Sequence, residues 1–191
     1  MNYISRNLEI VVSEVTNEYP VVLVTGPRQV GKTTMLQKLM EGTDRSYVSL
    51  DDLNERNLAK TDPELFLQLH KPPVLIDEVQ YAPELFTYIK IHIDKNRNPG
   101  AFWLTGSQVF KLMRGVQESL AGRVAVLSLT SLSQAEIGAK ETKPFVLDMD
   151  SLTARSKARK PADTEEIFER IFKGSMPAVV SGQNSNSQIF Y

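Results

Sequence analysis

Apolar and polar positions along the chain alternate between two periods. Ile4, Leu8, Val11, Val12, Val15 and Tyr19 recur at helical spacing, which predicts an amphipathic helix over residues 3–19 that Pro20 stops. Val21-Val22-Leu23-Val24 follows as a continuous apolar run, the mark of a short strand covered on both faces. A glycine-bearing turn leads into a predicted helix from Lys32 to Glu41, with Met35, Leu36, Leu39 and Met40 on its apolar side and Gly42 as its stop. The alternation then repeats. Tyr47–Leu50 reads as a strand ending at Asp51-Asp52, and helical sequence continues to His70 with a fresh start at Asp62-Pro63-Glu64. Val74–Ile76 is a third buried strand and Pro83–Lys95 a helix. Ala101–Leu104 is a fourth strand, residues 108–119 another helix, and Val124–Leu127 a fifth strand. Short apolar strands separated by helices predict an α/β fold of three layers, a parallel five-stranded sheet with helices on both faces.

Beyond residue 130 the pattern weakens. Residues 133–138 suit a short helix, and 139–162 are polar and read as a connection without regular structure. Asp163 caps a predicted helix to Lys173 with Ile167, Phe168, Ile171 and Phe172 on one side. The tail Gln183–Gln188 is low in complexity and is expected to be mobile. The expected organisation is therefore an N-terminal helix (1–19), a core (20–130) and a partly ordered extension (131–191). The extension reads as the start of a truncated helical region.

Composition narrows the chemistry. The 191 residues contain no cysteine, which excludes disulfides, Cys-based zinc sites and a Cys nucleophile. With 22 Lys+Arg against 23 Asp+Glu, the chain carries no global field for nucleic acid. Binding of that kind is not indicated by charge, though a local contact is not excluded. No run approaches the roughly 18 apolar residues of a membrane span, and the expected location is the cytoplasm.

One segment carries specific chemistry. Gly26-Pro27-Arg28-Gln29-Val30-Gly31-Lys32-Thr33 matches G-x-x-x-x-G-K-[ST], the Walker A pattern, directly after an apolar strand and at the start of a helix. A random chain of this length shows the pattern roughly once in a hundred or more, and its placement makes chance rarer still. Glycines let the backbone approach phosphates, and its N–H groups form an anion nest at the positive end of a helix. Gly26, Pro27, Arg28, Gln29, Val30, Gly31, Lys32, Thr33 and Thr34 are thus the candidate ATP-binding loop. Lys32 is expected to reach the β- and γ-phosphates, and the Thr33 hydroxyl to ligate Mg²⁺.

Three further segments complete the candidate site. In Val74-Leu75-Ile76-Asp77-Glu78 the acids end a buried strand, where open α/β sheets bind ligands. Asp77 is the expected Mg²⁺ partner and Glu78 the group that orients and polarises the attacking water. In Leu104-Thr105-Gly106-Ser107-Gln108, Ser107 is the first candidate to contact the γ-phosphate or the water, ahead of Thr105 and Gln108. Residues of these types also simply cap a following helix. In Ser119-Leu120-Ala121-Gly122-Arg123, Arg123 suits either an arginine finger reaching a neighbouring copy or a salt-bridged surface residue.

The remaining candidates are weaker. His70 and His92 lack metal-type spacing to carboxylates. The basic run 155–160 suits a solvated loop, or else a local phosphate contact. Phe66, Phe86, Phe102, Trp103 and Phe110 suit a core. Two other classes stand beside an ATP hydrolase: a nucleotide-binding switch with little turnover, and a small-molecule kinase using Asp51. The Asp77-Glu78 pair argues against the kinase, and the lack of an N-K-x-D sequence argues against a GTPase.

In order, the segments Gly26–Thr34, Val74–Gln80, Leu104–Gln108, Ser119–Arg123 and Leu129–Glu136 resemble the AAA+ superfamily. The likeness is nearer to bacterial and archaeal ATPases that carry a C-terminal domain of unknown function. It spans residues 3 to 180 and implies a sheet of order 5-1-4-3-2, Glu78 as catalytic base, Ser107 or a neighbour as sensor, and Arg123 as finger in a homo-oligomer. It also sets Arg6 in a segment leading into the nucleotide site. Phe172–Pro177 is similar to the family's G-G-[FY]-P-E segment, with Ala178 in place of the acid. Family members continue for roughly twice this length, so the chain is expected to be an ATPase fragment.

Overall fold

Strands with no polar face to offer water must be covered on both sides, and here they pair with one another under helices. In the computed structural model β1 (Val21–Thr25), β2 (Ser46–Ser49), β3 (Val74–Asp77), β4 (Phe102–Gly106) and β5 (Val124–Ser128) form one sheet of order β2-β3-β4-β1-β5. Every pairing is parallel. Read from the other edge, this is the 5-1-4-3-2 order that the resemblance implies. The structure describes residues 3–140, 147–158 and 163–183, apart from the side chains of residues 109–111, 114 and 117.

Helix α1 (Leu8–Thr16) precedes the first strand, and α2 (Lys32–Met40), α3 (Leu53–Thr61), α4 (Pro63–Leu69), α5 (Leu85–Lys95) and α6 (Val109–Ser119) join the strands. Strand residues alternate between the two faces. Val21, Leu23, Val74, Ile76, Phe102 and Leu104 point to one face, where Ala59, Phe66, Phe86, Ile89, Ile93, Leu112 and Val116 of α3–α6 cover them. Each fully buried Leu, Ile or Phe of this layer contributes about 1.5–3 kcal/mol. Trp103 points to the opposite face, where its Nε1 donates to Thr16 Oγ1 of α1 at 3.0 Å. Arg45 stacks on the Trp103 ring at 3.9 Å and donates to the Gly100 carbonyl, and burial lowers its pKa to about 10.

Several boundaries differ from the periodicity. The first helix begins at Leu8 rather than residue 3. The stretch from Asp51 to His70 is, by contrast, divided where the sequence places a fresh start, into α3 and α4 at Asp62-Pro63. Asp52 caps the first through the Asn54 and Glu55 amides, and Asp62 caps the second through the Leu65 amide. Of the aromatics assigned to the core, Phe66, Phe86, Phe102 and Trp103 are buried, and the Phe110 side chain lies outside the described residues.

Residues Arg6–Thr130 form one compact unit, and the described residues before Arg6 and from Ser131 onward form another. Within the second, α7 (Gln134–Ile137) carries a capping box between Ser133 and Glu136. The expectation of no regular structure over 139–162 is corrected at Met149–Ala158, which is a helix, α8. It has no buried residue and no apolar stripe to announce it. Its start is local, the Asp148 carboxylate accepting from the Ser151 amide at 2.8 Å. Residues 141–146 and 159–162 of that segment lie outside the described residues, as does the tail from 184. Helix α9 (Thr164–Lys173) is capped by Asp163, and α10 (Pro177–Val180), which periodicity missed, opens on a proline at its first position.

Candidate functional site

The loop between β1 and α2 is built from backbone. Gly26, Gln29 and Gly31 have φ of 143°, 66° and 90°. Left-handed residues set among right-handed ones curl successive N–H groups to one side, as in an anion nest. At Gly26 a Cβ would lie 2.0 Å from the Leu129 carbonyl oxygen, so close approach to the end of β5 requires glycine. Gln29 has no such freedom, and its conformation costs roughly 1–2 kcal/mol. Pro27, Arg28, Gln29 and Thr34 are exposed while Val30 and Lys32 are buried. The Lys32 ammonium donates to the carbonyls of Gly26 at 3.0 Å and Pro27 at 2.8 Å. Burial pushes the Lys32 pKa down, against the pull of Glu78 and Asp77, and Arg28 adds to the lowering.

The opposite wall is built from side chains. β3 ends at Asp77, and the β3–β4 register continues to bring it beside Thr105. The Asp77 carboxylate accepts from the Thr33 hydroxyl at 2.6 Å and from the Thr105 hydroxyl on its Oδ1, and from Tyr47 at 3.3 Å on its Oδ2. Thr105, fully buried, also accepts from the Glu78 amide at 3.0 Å. Glu78 is left-handed, with φ of 56°, which turns the chain into a 3₁₀ turn over Val79–Tyr81. Its Oε2 accepts from Ser107 at 3.2 Å and from the Gln80 amide. Among the described residues the buried Gln80 Oε1 has no hydrogen-bond partner. Strained backbone at Gln29 and Glu78 falls at both walls of one site, where such strain is typically stored.

The structure therefore brings Lys32, Thr33, Asp77, Glu78 and Ser107 together. Gln108 stands at the start of α6 and makes no side-chain cap. Arg123 is elsewhere: its guanidinium bonds Asp94 at 2.7–2.8 Å, and the hydrogen bonds from Lys90 and then Arg123 hold the Asp94 carboxyl below its usual range. His70 pairs with Glu55 at 2.8 Å, and His92 lies edge-on to Phe102. Tyr47 was missed by motif, Gln80 had no role assigned to it, and both are found through geometry. Tyr47 is paired with Leu75, two residues before Asp77 on the same face, so its hydroxyl reaches the acid. Burial and then the Asp77 charge push the Tyr47 pKa up.

Thr33 and Asp77 offer two hard oxygens in mutual contact, the donor set Mg²⁺ takes together with phosphates and water. Among the described residues no cluster of three His, Asp or Glu side chains is disposed to hold a metal alone.

A glycine-rich loop between a buried strand and a helix, facing an acidic strand end in this parallel sheet, defines a P-loop nucleoside triphosphatase fold. The family model of the AAA domain matches residues 18–138, and the chain belongs to that family. It is a nucleotide-binding module of the AAA ATPase type. Uncharacterised proteins of Mycobacterium tuberculosis and Mycobacterium bovis are each 36% identical over 141 residues, 72% of this chain. The chain spans 32% of the length of these curated relatives. Among solved structures, a Walker-type ATPase of Pyrococcus abyssi superposes with a TM-score of 0.60 at 16% identity, over 97% of this chain and 69% of that one. AMPPCP-bound DnaA from Aquifex aeolicus gives 0.55 at 15% identity, over 95% and 61%. These likenesses concern the fold. Among the described residues no helix is long and apolar enough to cross a membrane.

Proposed function

We propose that this module binds ATP and hydrolyses it with Mg²⁺. One observation carries the reading: the Thr33 hydroxyl meets the Asp77 carboxylate at 2.6 Å, with Glu78 next in sequence and bonded to Ser107. The AMPPCP-bound neighbour of the same fold is consistent with a nucleotide in this loop.

In this reading the nest from Gly26 to Gly31 and the Lys32 ammonium hold the β- and γ-phosphates. Lys32 then exchanges two carbonyl bonds for bonds to charged oxygens, which are the stronger kind. Thr33 and Asp77 would hold Mg²⁺, whose charge neutralises that of the phosphates. Glu78 orients a water toward the γ-phosphorus and accepts its proton as the bond to ADP breaks. Ser107 positions the Glu78 carboxylate, and Thr105 sets Asp77 and the Glu78 backbone in register. Arg123 completes the site of a second copy of the chain once it leaves Asp94, an exposed pair that water readily replaces.

The test is ATP turnover and ATP binding by the wild type, Lys32→Ala and Glu78→Gln. Loss of binding in the first and loss of turnover with binding kept in the second are expected. A tight ATP complex whose negligible hydrolysis is unchanged by Glu78→Gln would make the module a nucleotide switch instead. Arg123→Ala is expected to slow turnover only where ATP raises the mass of the particle; equal turnover in a monomer removes the finger.

A further inference from the structure

Arg6 is a buried charge that this chemistry does not use. It is 5% exposed, yet it lies outside both the phosphate loop and the strand-end acids. Its Nη1 donates to the Val30 carbonyl at 2.7 Å, and its Nη2 donates to the Thr130 carbonyl at 2.7 Å. One planar guanidinium thus ties the segment ahead of α1 to the phosphate loop and to the chain beyond β5.

The bond to Val30 has a geometric consequence. Val30 C=O and Gly31 N–H belong to one trans peptide plane, in which the two groups point in opposite directions. A carbonyl drawn toward Arg6 turns the Gly31 N–H away from it, to the other side of the loop. Gly31 has no side chain to hold that plane and sits at φ of 90°, directly after Gln29 and Val30 and directly before α2. Thr130 fixes the other end of the guanidinium fork, so the pull on Val30 has a set direction. A lysine supplies the same charge without the rigid two-pronged donor.

We propose that Arg6 is a positioning residue of the phosphate loop: by holding the Val30 carbonyl against Thr130 it pre-sets the Gly31 N–H for a nucleotide's phosphates. The proposal rests on the phosphate-loop reading above. It predicts that the loop is ordered by Arg6 before any nucleotide arrives.

The experiment uses the full chain with Arg6→Lys and Arg6→Met, read by backbone ¹⁵N relaxation without nucleotide and then by ATP and ADP affinity. In both variants the order parameters of the Gly31 and Lys32 amides should fall from about 0.85 to below about 0.6 while those of β1, β3 and β4 stay at about 0.85. Affinity for both nucleotides should fall about tenfold, with Arg6→Lys no better than a partial rescue. Unchanged order at Gly31 overturns the proposal, as does order lost equally through the core strands. A failure of both variants to fold also overturns it, since Arg6 would then serve the core as a whole. If the wild type binds neither nucleotide, the phosphate-loop reading fails, and the order at Gly31 still decides whether Arg6 sets the loop.

Discussion

The two walls of the site are made of different material. The loop from Gly26 to Gly31 is contiguous in sequence and acts through backbone, with left-handed conformations at Gly26, Gln29 and Gly31. The facing wall is assembled from β2, β3, β4 and the turn after β3, and acts through side chains: Tyr47, Asp77, Glu78, Gln80, Thr105 and Ser107. A backbone wall is a ready receptor for phosphate charge and changes little when an exposed side chain is replaced. A side-chain wall depends on each bond, because every partner sits in a partly buried network where a lost bond leaves another group unpaired.

The largest expected effects separate the walls by what they do. Glu78→Gln is expected to reduce kcat by about 10²–10⁴-fold, the usual worth of a general base, while nucleotide affinity stays within threefold of wild type (roughly, given that the base acts after binding). Lys32→Ala should instead weaken ATP binding by about a hundredfold, comparable to removing one strong donor to a phosphate oxygen. Steady-state turnover beside equilibrium titration with a fluorescent nucleotide reads both; a common effect on binding would erase the distinction.

Next in size is Thr105→Val, which keeps the shape but leaves the Glu78 amide without its acceptor and removes one of the three donors to Asp77. A loss of about 1–3 kcal/mol in stability is expected by denaturant titration. Turnover should fall with it, because the same hydroxyl sets the strand-end acids. Ser107→Ala removes one bond at 3.2 Å to Glu78, which Gln80 also holds, so a kcat decrease of about fivefold with unchanged stability is expected.

The smallest effect is a pH dependence of the loop wall. Burial lowers the Lys32 pKa, and bound phosphates raise it again, so the complex holds the proton more tightly than the free protein. ATP affinity should therefore decline as pH rises through the lowered Lys32 value, sooner than an ordinary lysine would allow. Calorimetry in buffers of different ionisation heat should register proton uptake on binding in that range, and none in Lys32→Ala.

Legibility in the sequence follows the same division. The loop could be read residue by residue, since G-x-x-x-x-G-K-T encodes its glycines and cation at fixed offsets. Asp77 and Glu78 were legible because an acid ending a buried run has one place to go. Thr105 ranked behind Ser107 in the sequence, yet it is the buried hydroxyl that holds Asp77, and only its alignment with β3 reveals this. Tyr47 gave no motif signal, and Gln80, inside the segment Val74–Gln80 that carries the resemblance, had no role assigned to it. The contrast extends to the second compact unit, where Ile167, Phe168, Ile171 and Phe172 keep the predicted helical spacing but are 45–70% exposed. Periodicity set the helix and its apolar side, and burial depends on what packs there.

By itself the sequence determined the alternation of strands and helices, the phosphate loop and the two strand-end acids, because those depend on local spacing and on residue chemistry. Tertiary structure decided which side chains face those acids, that Arg123 meets Asp94, and that Arg6, 24 residues before Val30 and 124 before Thr130, grips both carbonyls. Such contacts are set by strand register and by the packing of α1, and no local pattern carries the distance between residues so far apart in the chain.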